Sequence, residues 1–78
     1  MNPLEFEKEV KKLDRNKYHI CRTLGFENNM PTIVEWEIFR KDMPEAEYFS
    51  DNNRAVLSSK YGDTIEDIRK LIEYEKKG

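Results

Sequence analysis

The chain has 78 residues, 37% hydrophobic and 38% charged, and carries a formal net charge of −2 at pH 7. That is material for one compact domain, residues 1–78, whose core must come from a few large side chains; four Phe, four Tyr and one Trp supply it. A single cysteine, Cys21, excludes a small scaffold held by internal disulfides and points to a reducing, cytoplasmic setting.

Residues 2 to about 15 read as a helix. Asn2 is a capping residue, Pro3 suits the first helical position, and Glu5 completes an Asn-x-x-Glu variant of the capping box. Phe6, Val10 and Leu13 recur at helical spacing as an apolar stripe, with Lys8, Lys11, Lys12 and Arg15 on the opposite side. Over residues 17–24 the period changes to two. Tyr18, Ile20 and Leu24 fall on one side and His19, Cys21 and Thr23 on the other, as in a strand. Residues 25–31, with Asn28-Asn29 and Pro31, read as the connection to a second strand over 32–40. In that strand Val34, Trp36 and Ile38 are expected to share the core face, with Glu35 and Glu37 pointing away.

Residues 41–45 read as a turn, 46–49 as a short strand and 50–53 as another turn. Residues 54–61 fit a strand better than a helix stopped by Gly62. The last element is a helix. Asp63 with Glu66 makes an Asp-x-x-Glu start, Ile65, Ile68, Leu71 and Ile72 make its apolar stripe, and Glu66–Lys70 and Glu73–Lys77 are i,i+4 pairs. The expected fold is therefore α+β: an antiparallel sheet of three to four strands with the N- and C-terminal helices packed on one face.

Few residues here suit chemistry. His19 and Cys21 lie on one face of a strand but are separated by roughly 6.5 Å along it, about twice the reach of a base that must activate a thiol. One Cys and one His are half a zinc site, and no ligand-pair spacing completes it, so no metal and no cofactor are expected. Three glycines, Gly25, Gly62 and Gly78, form no phosphate-binding loop. An enzyme is not expected. The acidic N-terminal stretch differs from the basic start of a secretory signal, and the longest apolar run is three residues, so neither export nor a membrane partner is expected.

The element order helix, three strands, helix is similar to that of the double-stranded RNA-binding domain, a likeness of topology alone. That resemblance implies lysines at the start of the last helix to contact phosphates, where this chain has Asp63, Glu66 and Asp67. Were residues 54–61 helical, Leu57, Ser58, Tyr61, Gly62, Ile68 and Leu71 would loosely resemble a helix-turn-helix, again with acids on the reading helix. A nucleic-acid-binding module using Lys8, Lys11, Lys12 and Arg15 is the alternative function.

The leading expectation comes from charge. Residues 1–26 carry a net +2, residues 27–51 a net −5 and residues 52–78 a net +1. An acidic β segment repels nucleic acid and steers association with a basic protein. The expected function is a non-enzymatic protein-binding module, an inhibitor or modulator of a basic partner, with Glu35, Glu37, Asp42, Glu45 and Glu47 at the contact. The chain itself is expected to be a monomer or weak homodimer, with the edge of the 46–49 strand as the point of self-association.

Overall fold

The computed structural model describes residues 1–41 and 55–77, in the order α1 (Pro3–Val10), β1 (Tyr18–Glu27), β2 (Met30–Arg40), β3 (Leu57–Ser58), a 3₁₀ turn (Ser59–Tyr61) and α2 (Ile65–Lys77). The strands form one antiparallel sheet in the order β1-β2-β3, and this helix-strands-helix arrangement is the α+β fold expected. The turn expected beyond Lys41 and the strand expected at 46–49 lie outside the described residues.

Helix α1 starts as its sequence dictates, with the Asn2 side chain accepting from the backbone N–H groups of Leu4 and Glu5 and Pro3 opening the first turn. It ends five residues early. Past Val10 the backbone tightens, Lys12 N–H donating to Glu9 and Leu13 N–H to Val10, and Asp14 then gathers the next turn by accepting from Asn16, Lys17 and Tyr18. Leu13 stays in the core although it is no longer helical.

The β1–β2 hairpin is longer than expected. The connection is only Asn28-Asn29, with φ of 51° and 64°, the two left-handed residues of a type I′ turn. Residues 25–27 and 30–31, expected to be loop, therefore belong to the strands. Partway along, Thr23 pairs with Glu35 and Leu24 with Ile33, so Val34 is an extra residue in β2. Such a bulge sets two consecutive residues, Val34 and Glu35, against one, Thr23, and shifts the alternation by one. Ile33, rather than Val34, joins Trp36 and Ile38 in the core.

Both helices cover one face of the sheet. Phe6, Val10, Leu13, Tyr18, Ile33, Trp36, Ile38, Ile68 and Ile72 form the main cluster, with the Phe6 and Trp36 rings 5.7 Å apart and tilted by 45°. Arg22 ties β1 to α1: its guanidinium lies 5.5 Å from the Phe6 ring centre and 2.7 Å from a Glu7 carboxylate oxygen.

The second edge of β2 is closed piecemeal. Ile33 exchanges hydrogen bonds with Met1, the Ser59 hydroxyl both accepts from Trp36 N–H and donates to Trp36 C=O, and Val56 N–H donates to Ile38 C=O. This explains why, of the strand expected over residues 54–61, the described residues 55–61 contribute only Leu57–Ser58. A side-chain hydroxyl then takes over from the backbone as the chain turns into 3₁₀ structure. The helix-turn-helix frame is excluded by the same strand.

At α2 the capping residues are shifted by one from the expected pair. Asp67 accepts from Thr64 N–H and Oγ1, while Asp63 accepts from Ser58 N–H. The Glu66 and Glu73 partners are Arg69 and Lys76, at i,i+3, rather than Lys70 and Lys77.

Candidate protein-contact surface

Alternation along β1 and β2 assigns the face turned away from the helices. Cys21 pairs with Glu37 and Thr23 with Glu35, and beyond the bulge Gly25 pairs with Thr32 and Glu27 with Met30. Val34 is added to this outer face by the bulge. It rests over Gly25, where a Cβ would lie 2.9 Å from Val34 Cγ1, so only glycine leaves room for it. Val34 is 60% exposed and Met30 67% exposed.

Of the acids expected at a contact, Glu35 and Glu37 are brought together on this face. Both lie against Lys60, at 3.1 and 3.8 Å. The hydrogen bond to Glu35, helped by the charges of Glu35 and Glu37, raises the Lys60 pKa above its usual value. Asp42, Glu45 and Glu47 lie outside the described residues. Glu27 is a further exposed acid at the distal end. The outer face thus carries two exposed apolar side chains bordered by Glu27, Glu35 and Glu37. Sequence reasoning missed Val34 because its alternation with Trp36 and Ile38 places it inside.

The four basic residues do not share a helical face. Lys8 is in the last turn of α1, Lys11 is its C-cap, and Lys12 and Arg15 follow in the turn region, with Lys12 held 3.3 Å from Glu9. His19 and Cys21 both lie on the outer face, as expected. Burial, and secondarily the Glu37 charge, pushes the Cys21 thiol pKa up, which disfavours the nucleophilic thiolate. Among the described residues no group of three or more His, Cys, Asp or Glu side chains is placed to hold a metal ion, and no helix is long and apolar enough to cross a membrane.

The other polar centre joins the strand and the last helix. The Tyr18 hydroxyl donates to Glu75 Oε1 at 2.5 Å and Lys17 lies 3.4 Å from the same carboxylate. Desolvation and the Glu75 bond push the Tyr18 pKa up to about 12, and the same hydrogen bond lowers that of Glu75. Both residues are engaged in holding α2 to β1, a structural role.

Compared with protein-family models, curated proteins and solved structures, the chain matches none.

Proposed function

We propose that this protein is a non-enzymatic binding module that contacts a basic protein through the outer face of the β1–β2 hairpin. The observation that supports this most is Val34, a β-branched apolar residue set on the solvent side by a one-residue bulge and accommodated by Gly25. A bulge costs ladder regularity, and such features are commonly used to re-aim a side chain. With Met30 it gives the face an apolar centre, while Glu27, Glu35 and Glu37 give it an acidic border. A partner with a small apolar contact ringed by Lys or Arg is the complement. Lys60, drawn to Glu35 and Glu37 in the free protein, is a cation that such a partner would displace. By covering its partner's basic surface the module acts as an inhibitor or modulator.

The test is comparative capture from the source cell. Wild type, Val34→Glu, the double variant Glu35→Lys with Glu37→Lys, and Tyr74→Ser on the exposed side of α2 serve as baits. Proteins held by wild type and by Tyr74→Ser, but lost by both outer-face variants, are the expected result. The proposal fails if the same proteins stay on all four baits.

A further inference from the structure

We propose that two copies of this chain join through the outer edge of β1, making one continuous antiparallel sheet about a two-fold axis at Thr23. This contact runs along the backbone edge of β1 and touches the outer face only through His19, Thr23 and Glu27, and it does not rest on the function proposed above, which depends on Val34, Glu35 and Glu37 of β2.

The edge is long, and among the described residues it is open. In the sheet order β1-β2-β3, one side of β1 has no neighbour among the described residues. On β2, Ile33, Trp36 and Ile38 turn their backbone groups toward the β3 side, so their partners Leu24, Arg22 and Ile20 turn theirs away from β2, to the free edge. Phe26, paired with Pro31, follows the same alternation. Beside these groups, on the helix side, Leu24 is 61% and Phe26 80% exposed. Unpaired backbone groups next to exposed apolar side chains are what an added antiparallel strand covers.

The sequence of β1 selects the second copy and its register. Residues whose backbone faces the edge must oppose one another, and the symmetric registers that then overlap seven or more residues of β1 are centred on Cys21, Arg22, Thr23 or Leu24. Centring on Arg22 sets two guanidinium groups directly opposite, which is destabilising. Centring on Cys21 or on Leu24 shortens the overlap within the ten-residue strand to seven residues. Centring on Thr23 overlaps nine residues, from His19 to Glu27. It places Ile20 opposite Phe26 and Arg22 opposite Leu24 on the helix side, and Thr23 opposite Thr23 with Glu27 opposite His19 on the outer side. An acid thus faces an imidazole at each end of the ladder. Short of aggregation, closure by two-fold symmetry uses the edge once per copy and leaves the hairpin tips clear.

Sedimentation equilibrium across a wide concentration range reads the mass directly: a rise from 9.4 kDa toward twice that value is expected. Leu24→Pro removes an N–H that faces the edge and no ladder bond within the monomer, and should weaken the dimer roughly tenfold or more. A second variant tests the register without disturbing the backbone. Thr23→Cys in a Cys21→Ser background places two thiols across the axis, and copper phenanthroline in air should link most of the protein as a disulfide dimer. Glu66→Cys in the same background, on α2, should stay unlinked. A mass fixed at 9.4 kDa at every concentration overturns the proposal. So does a self-associating protein in which Thr23→Cys links no faster than Glu66→Cys.

Discussion

Val34 owes its position to a contact that lies far from it in sequence. Gly25 is ordinary extended backbone, and its lack of a side chain is what admits the Val34 methyl groups above it. Gly25→Ala should therefore cost about 1 kcal/mol or more through overpacking. In a Val34→Ala background the same change should become neutral or mildly stabilising, since an added Cβ then restricts only the unfolded chain. Urea midpoints of the four proteins give the coupling; additive effects would mean that the close approach carries no energy. Nothing local in the sequence distinguishes Ile33 from Val34 as the core residue. Both are β-branched and apolar, and strict alternation from Trp36 selects the wrong one.

Tyr18 allows a second test at the same scale. Its phenol is raised from 10.0 to about 12 chiefly by desolvation, so the folded state holds that proton more tightly than the unfolded state does. The sign follows: this stability is complete below pH 10 and is lost as pH rises toward 12. Tyr18→Phe should cost about 1 kcal/mol at pH 7 and should flatten the loss between pH 10 and 12 relative to wild type. An unchanged alkaline limb in the variant would contradict the assignment.

Among the elements, the helices were the more legible. The Asn2-Pro3 start and the stripe Ile65, Ile68, Leu71, Ile72 are local patterns, and the helices begin near where those patterns place them. The end of α1 was not legible, because Lys11 and Lys12 are good helix formers; what stops the helix is Asp14 closing the next turn on itself. The hairpin is hard to read from sequence for a similar reason. Asn28-Asn29 with Pro31 resembles an extended loop, yet two left-handed Asn residues suffice for a two-residue turn, and Pro31 is tolerated where its missing N–H faces outward from the pair. Asn29→Gly should therefore stabilise the protein by about 0.5 kcal/mol, and Asn29→Val should destabilise it by about 1–2 kcal/mol. Each 1 kcal/mol corresponds to roughly 4–8 °C in Tm for a domain of this size, which is readily resolved. Two variants of equal Tm would argue against the type I′ geometry.

For the molecule as a whole, charge ties the two helices together. Arg69 of α2 reaches Glu5 and Glu9 of α1, at 3.5 and 3.7 Å, and also Glu66 on its own helix. Glu9 is only 6% exposed, so its charge depends on Arg69 and Lys12 for compensation. Arg69→Met should lower the urea midpoint at low salt, and the difference from wild type should shrink at about 1 M salt, where such pairs are screened. A salt-independent difference would assign the effect to packing. The segment charges already distinguished mildly basic helices from an acidic middle. They did not show that Lys60, from a later segment, lies against Glu35 and Glu37, since that pairing depends on β3 lying beside β2.

The proposed function stands or falls with partner binding on the outer face of the hairpin. The most direct measurement is an amide NMR titration of the ¹⁵N-labelled protein with the partner recovered by capture. Shifts concentrated at Thr23, Met30, Val34, Glu35, Glu37 and Lys60 are the expected result. Shifts concentrated instead at Lys8, Lys11, Lys12 and Arg15, with the outer face silent, would contradict it.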